Sequence, residues 1–135
     1  MKECVFCKIA QGNIPCHKVL ENNDFLAFLD NRPFTEGHLL VIPRTHYRWV
    51  YDVPNFGEYW DFARQAASKI QSSLNPEYIT FLTMGNEVPH AHIHIIPRHT
   101  DDQLTGIFKE EFRKNPDNTE FDQILVKIKS ATNKK

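Results

Sequence analysis

Long apolar segments are absent from this sequence. No stretch of its 135 residues approaches the roughly 18 apolar residues that a membrane-spanning helix requires. The opening residues, Met-Lys-Glu-Cys-Val-Phe-Cys-Lys, also lack the apolar core of a secretory signal peptide. We therefore expect a cytoplasmic protein without a membrane partner.

Cysteine is scarce, and the charges nearly cancel. Three cysteines lie at positions 4, 7 and 16, and an odd number argues against a disulfide framework and for reduced thiols. The formal net charge is −1, from 16 Lys and Arg against 17 Asp and Glu. A broad nucleic-acid surface needs a strong basic excess, so nucleic acid is not an expected partner. The length fits a single domain over residues 1–135.

Five short segments are predicted to be β-strands. Asn22-Asn23 is a hairpin signal between the first two segments, and glycine or proline follows each of the other three. The predicted strands cover residues 17–21, 24–29, 38–42, 77–84 and 88–96.

The clearest predicted helix follows Pro54. Asn55 and Glu58 have the spacing of a capping box, and apolar residues recur at steps of three and four as far as Leu74. Strands joined by short turns, with one long helix between them, are typical of an antiparallel α+β domain.

Three further helical segments are predicted. The first is a short helix within residues 1–12, and the second is a short piece at 106–112. The last is a helix over about 119–132, with Thr119 and Asp122 at its start.

The most distinctive feature is a run of alternating histidines, His90, His92 and His94. On a strand, alternate side chains share one face, so the three rings are expected together, about 6.5–7 Å apart. Ala91 and Ile93 would then face a covering helix. Thr, Lys or Glu would suit a plain solvated strand face equally well, so the three histidines suggest a catalytic or metal-binding role.

Two kinds of chemistry fit three neighbouring imidazoles. One is a three-histidine zinc site. The other is nucleophilic attack on phosphorus, in which one ring attacks while a neighbour donates a proton, since imidazole titrates near neutral pH. The histidines by themselves leave both open.

The stretch Gly-Asn-Glu-Val-Pro-His-Ala-His-Ile-His-Ile-Ile-Pro-Arg at residues 85–98 resembles the signature of the histidine triad (HIT) family. Four further segments are similar to the N-terminal half of that family, so the resemblance covers about residues 4–98. These segments are residues 4–9, 12–15, 26–30 and 37–46.

The resemblance implies a HIT-like α+β fold. This fold has an antiparallel sheet of about five strands, one long helix and one C-terminal helix. It also implies a symmetric homodimer formed by the long helix and a strand edge, with Trp60 or Tyr59 at the interface.

The resemblance further implies a catalytic role for the triad. In the family, the middle histidine, which matches His92, attacks the α-phosphate of a bound nucleotide and forms a nucleotidyl-imidazole. A backbone carbonyl orients its ring. His94 would contact the phosphate or the leaving group and donate a proton, and His90 completes the triad.

Several positions match the family's nucleotide contacts. Phe6, Ile9 and Ile14 match the residues that line the base pocket, although they could equally be packed in the core. Asp30 and Asn31 match the ribose contacts, and their alternative is a turn at the end of a strand. His38 matches a histidine that supports the triad, and its alternative is a plain packed histidine.

Two residues near the expected phosphate site depart from the family pattern. Asn86 stands where the family usually has Gln, and its amide reaches less far. Glu87 stands where small hydroxyl residues are common, and its carboxylate would repel a phosphate if it pointed inward.

Cys4-Val-Phe-Cys7 is a weak metal signal alone, because a structural zinc needs about four ligands. Some relatives in the family hold zinc with two N-terminal cysteines, a histidine like His46 and the first triad histidine. The resemblance therefore implies a structural zinc at Cys4, Cys7, His46 and His90. The alternative is a free thiol pair with His90 hydrogen-bonded within the triad.

The expected function is that of a hydrolase or transferase acting on a purine nucleoside phosphoramidate or a related nucleotide. A dinucleoside polyphosphate hydrolase is an alternative within the same chemistry. The departures at Asn86 and Glu87 also leave open a nucleotide- or zinc-binding interaction module with little turnover.

Overall fold

The computed structural model describes residues 4–104 and 109–131. One antiparallel sheet organises the described chain, with strands in the order β1-β2-β3-β5-β4. The strands are β1 (Lys18–Glu21), β2 (Phe25–Leu29), β3 (Leu39–Pro43), β4 (Tyr78–Leu82) and β5 (Ile93–Arg98). The helices are α1 (Val5–Ala10), α2 (Phe56–Leu74) and α3 (Asn118–Ala131), with short 3-10 turns at Val50–Asp52 and Glu110–Phe112. The predicted α+β class with a five-stranded antiparallel sheet is confirmed.

Helices cover both faces of the sheet. On one face, α2 and α3 bury a cluster that includes Tyr59, Ile70 and Ile128 together with Ala91 and Ile93. The other face carries a smaller cluster formed by α1 and the inner strands. Both β2 and β3 are therefore buried along their whole length, which explains their unbroken apolar sequence.

Tyr59 is wholly buried in this core. Its ring stacks on Phe25 at 5.1 Å, and its hydroxyl donates to the Val41 carbonyl at 2.8 Å. Trp60 or Tyr59 was predicted at a dimer interface. For Tyr59 the prediction is wrong, because its side chain packs against the sheet.

The fifth strand begins later than predicted, at Ile93 instead of residue 88. Pro89 has no amide hydrogen to give to a ladder. The His90 amide donates to Val88 O at 2.8 Å, and the Ala91 amide donates to Tyr47 O at 2.7 Å. The segment before the strand is thus held by a turn at Val88 and by a tertiary contact with Tyr47, so that His94 is the one triad histidine within β5.

The helix starts also differ from their predicted caps. Asn55 makes no side-chain bond to the backbone and donates its amide to the Glu58 carboxylate instead, at 3.3 Å. For α3, Asp117 and Glu120 exchange backbone-to-carboxylate hydrogen bonds of 2.9 Å. That reciprocal pair is a capping box two residues before the predicted Thr119.

The predicted piece at 106–112 is a 3-10 turn at Glu110–Phe112, and its part at 106–108 lies outside the described residues, as does residue 132 of the last predicted helix. Within the described ranges, no helix combines the length and apolar character needed to cross a membrane.

Gly37 sets up the start of β3. Its φ is +89°, and a Cβ there would meet the end of the Leu74 side chain. The left-handed backbone favours glycine at this position. The turn delivers the next residue, His38, into the sheet, where it is fully buried.

Candidate active site and metal centre

A pocket of about 400 Å³ opens on the α1 side of the sheet, a size that suits a small ligand. The cross-strand pairs Phe28–Leu40 and Leu40–His94 place these three side chains on that face. The ends of β2, β3 and β5 meet there, so Asp30 and His38 lie beside the triad strand.

Sequence-predicted site residues divide between this pocket and its surroundings. His38 lies behind His94, and Asn86 is exposed and does not line the pocket. His46 and His90 belong to a separate cysteine cluster. The predicted residues that line the pocket are Phe6, Ile9, Ile14, Asp30, Asn31, Glu87, His92 and His94.

His92 has one ring nitrogen fixed by the backbone. Its Nδ1 lies 2.8 Å from the carbonyl oxygen of His90. A carbonyl can only accept, so Nδ1 carries the proton and Nε2 keeps its lone pair. Thr83 donates to the His92 carbonyl at 2.8 Å, and burial lowers the pKa of His92. The ring is therefore held neutral, with one nucleophilic nitrogen.

His94 is oriented by a chain of hydrogen bonds that starts at a backbone amide. The Phe34 amide donates to His38 Nδ1 at 3.0 Å, so the His38 proton sits on Nε2. His38 Nε2 donates to His94 Nδ1 at 2.9 Å. The remaining proton of neutral His94 is therefore on Nε2. Burial lowers the pKa of both rings to about 3, so both are neutral near pH 7.

Asp30 completes the polar wall of the pocket. Its Oδ1 accepts the Arg32 amide at 2.9 Å, and its Oδ2 lies 3.5 Å from His38 Nε2 and 3.3 Å from Arg113 Nη1. Asp30, His38 and His94 could in principle hold a metal. Their hydrogen bonds already pair these atoms, and the Arg113 cation lies against the carboxylate, so no ion is needed to explain the cluster.

A second cluster joins α1 to the segment before β5. The Nδ1 atom of His90 lies 3.2 Å from Cys4 Sγ and 3.6 Å from Cys7 Sγ, and His46 Nδ1 lies 3.3 Å from Cys7 Sγ. All four ligand atoms lie within 4.8 Å of one another. Tetrahedral zinc with ordinary bond lengths would separate sulfur and nitrogen by about 3.6 Å. The donor set therefore fits zinc.

The donor atoms are also prepared chemically. His90 Nε2 donates to the Pro43 carbonyl at 2.9 Å, which leaves the lone pair of Nδ1 facing the thiols. Burial and the neighbouring Cys4 raise the pKa of Cys7 to about 11. Without a cation this thiol stays protonated near neutral pH, so metal binding would release a proton.

The three triad rings lie on the α1 side of the sheet, as the alternation predicts: Phe6 of α1 contacts both His90 and His92, with ring centroids 5.8 and 5.2 Å apart. His92 and His94 are neighbours, with ring centroids 5.2 Å apart. His90 also packs edge-on against His46 at 4.9 Å, beside the two cysteines.

Comparison with known proteins bears directly on this arrangement. The HIT domain family matches residues 11–101, which is more than half of the chain. The chain belongs to the HIT domain family.

Relatives within the HIT family cover most of the chain. Protein hit of Bacillus subtilis is 39% identical over 105 residues, which is 73% of this chain and 72% of that protein. Adenosine 5′-monophosphoramidase hnt1 of Schizosaccharomyces pombe is 32% identical over 133 residues, 93% of this chain and 98% of that protein. A Zn-bound histidine triad family protein from Mycobacterium smegmatis superposes with a TM-score of 0.76 at 30% identity, covering 99% of each chain.

Sequence reasoning missed three charged residues that line the HIT pocket, Arg32, Glu110 and Arg113. Of these, Arg113 reaches Asp30 from 83 positions away. Arg113 lies in no recognisable motif, so no sequence signal points to it. Cys16 and His17, to which the sequence assigns no ligand role, also line the pocket.

The hydrogen bonds predict opposite tautomers for the two pocket histidines. In two-bond ¹H–¹⁵N NMR spectra near pH 7, His92 should carry its proton on Nδ1, whereas His94 should carry it on Nε2. His38→Phe should remove the fixed preference at His94 and leave His92 unchanged. Identical tautomers for His92 and His94 in the unsubstituted protein would contradict the assignment.

Proposed function

We propose that this HIT protein is a nucleotide hydrolase or transferase that acts on purine nucleoside phosphoramidates through a nucleotidyl-His92 intermediate. The observation that carries the proposal is the fixed tautomer of His92, whose unprotonated Nε2 belongs to a ring lining the pocket. The adenosine 5′-monophosphoramidase relatives support the same chemistry.

The proposed first step forms a bond between His92 Nε2 and the α-phosphorus while the phosphorus–nitrogen bond breaks. Positive charge develops on the His92 ring, and the His90 carbonyl, already bonded to Nδ1, stabilises it. The leaving nitrogen takes the Nε2 proton of His94 as the bond breaks, so it departs as a neutral amine, and the water of the second step returns a proton to His94.

In the second step, water attacks phosphorus and the bond to His92 breaks. Across both steps one water molecule is consumed. Its oxygen and one hydrogen end on the nucleoside phosphate, and the other hydrogen ends on the released amine. An acceptor other than water would make the same intermediate a transferase.

The pocket supplies contacts for each part of such a substrate. Phe6, Ile9 and Ile14 form the apolar side that we assign to the base. Asp30 and Asn31 offer acceptors for the ribose hydroxyls.

The rim favours an amine as the leaving group. Glu87 is exposed there and lines the pocket, and its negative charge raises the pKa of His92 against the larger effect of burial. A carboxylate at this position disfavours a polyphosphate leaving group more than an amine. A phosphoramidate therefore suits this chain better than a dinucleoside polyphosphate.

The intermediate can be trapped by acid-free quenching after mixing with a phosphorus-labelled adenosine phosphoramidate. We expect an acid-labile, base-stable label on the protein. His92→Ala should abolish the label and lower kcat by about 10³-fold or more, since the nucleophile is lost. His99→Ala, which changes a histidine that does not line the pocket, should retain both. Tight nucleotide binding with neither label nor product would favour a binding module instead.

The proposal includes one structural zinc held by Cys4, Cys7, His46 and His90. The sulfur–nitrogen distances and the free lone pair on His90 support it, as does the Zn-bound relative. When bound, zinc would supply a cross-link between α1 and the loops that carry the two histidines. No step at phosphorus uses it.

Metal analysis tests the zinc site. The protein as purified should contain one zinc per chain, and Cys7→Ser should lose it together with about 5 °C or more of the thermal midpoint. Cys16→Ser should keep the metal, because Cys16 lies outside the cluster. Immediate, zinc-reversible loss of activity on chelation of a still-folded protein would argue against a purely structural metal.

A homodimer is the proposed assembly. Strand β4 is an edge of the sheet and exposes Tyr78 and Phe81. Phe81 contacts Trp60 of α2, with ring centroids 6.2 Å apart. An exposed aromatic edge strand is a hazard for aggregation unless another chain covers it, and a second copy would do so. The proposed partners are therefore a purine nucleotide and a second copy of the chain, and nucleic acid is not among them. The cytoplasmic location stays a prediction.

Light scattering after gel filtration tests the assembly. The protein should elute with the mass of two chains, and Phe81→Lys should yield monomers by placing a charge on the paired edge. Tyr51→Lys is the matched control, because Tyr51 is 73% exposed and belongs to the 3-10 turn at Val50–Asp52 instead of β4. A monomeric unsubstituted protein at micromolar concentration would contradict the proposal.

A further inference from the structure

The chain beyond the family-matched residues 11–101 returns to the nucleotide pocket. The Lys114 amide donates to the Pro33 carbonyl at 2.8 Å, which fastens this segment beside the loop after β2. The preceding 3-10 turn, Glu110–Phe112, contributes Glu110 to the pocket wall. The side chain of Arg113 is thereby directed at Asp30.

Arg113 is held more firmly than a surface arginine. Its side chain is only 13% exposed, and its guanidinium lies 4.4 Å over the ring of Phe34. Nε donates to Glu110 at 3.0 Å, and Nη1 donates to the Arg32 carbonyl. These contacts fix the planar fork before any ligand arrives, so the interaction with Asp30 has a defined geometry.

The Asp30 carboxylate is consequently bound by groups on two sides. The Arg32 amide holds Oδ1 at 2.9 Å, and Arg113 Nη1 lies 3.3 Å from Oδ2. His38 Nε2 also lies 3.5 Å from Oδ2. A carboxylate offers about four acceptor positions, so these three contacts set its plane without using all of them. Asp30 lines the pocket, and the remaining positions are available to hydroxyl donors there.

We propose that Arg113 is a specificity-determining residue that makes the site select ribonucleotides over 2′-deoxyribonucleotides by fixing the Asp30 carboxylate toward the ribose hydroxyls. Arg113 acts through Asp30, as a positioning residue. The inference rests on the proposed function, since it requires a nucleoside phosphate in this pocket.

The test compares adenosine 5′-phosphoramidate with its 2′-deoxy analogue. The unsubstituted protein should prefer the ribose substrate by about 10- to 100-fold in kcat/KM, because a buried acceptor left unpaired penalises the deoxy analogue. Arg113→Gln should reduce that preference to about threefold or less, with the ribose substrate losing more than the deoxy substrate. Arg64→Gln, which removes an exposed pair with Asp61 on α2, should keep the full preference.

A double-substitution cycle separates positioning from general stability. Asp30→Asn should also reduce the preference, and adding Arg113→Gln to it should reduce the preference no further. A variant that loses activity equally on both substrates, or that retains the preference, would overturn the inference. Circular dichroism and the thermal midpoint identify variants that fail to fold, for which Arg113→Lys takes the place of Arg113→Gln in the same comparison.

Equilibrium binding of AMP and 2′-deoxy-AMP keeps the two proposals apart. Equal affinity and equal turnover for both sugars in the unsubstituted protein would overturn the role of Arg113 and leave the phosphoramidase function standing. Ribose-selective binding that Arg113→Gln abolishes, without any turnover, would support the role of Arg113 and overturn the proposed chemistry. Binding of neither nucleotide would overturn both.

Discussion

The hydrogen bond from His92 Nδ1 to the His90 carbonyl is the constraint on which the site depends. It decides which nitrogen of His92 has a lone pair, and its strength depends on a carbonyl that does not move. That carbonyl belongs to an irregular segment held by Tyr47 O and by Thr83. These contacts around β5 hold one hydrogen-bond acceptor, the His90 carbonyl, in place.

The proton positions on His38 and His94 are fixed from the opposite side of the pocket. Histidine side chains can exchange tautomers freely in water, yet the Phe34 amide allows His38 only one, and His38 then allows His94 only one. Burial lowers the pKa of both rings to about 3, which removes protonation as an alternative. A backbone donor that cannot rotate thus determines a proton position two residues away in the network.

The fold was predictable because its information is local. Apolar runs at residues 25–29 and 39–43 and the helical spacing up to Leu74 each reflect burial on a sheet or beneath one. The cysteine–histidine cluster and the pocket histidines followed from the resemblance to the HIT family. The late start of β5 at Ile93 did not, since the bond from the Ala91 amide to Tyr47 joins residues that are distant in the sequence. Arg113 was beyond prediction for the same reason, because only the folded chain brings it to Asp30.

Residue 90 serves two sites with different parts of itself. Its ring faces the cysteines, whereas its backbone carbonyl holds His92, and every amino acid has such a carbonyl. Replacing this histidine would therefore remove one of the four candidate metal ligands and leave the acceptor for His92 Nδ1 in place. No substitution at the same position could do the reverse, because no change of side chain removes a backbone carbonyl.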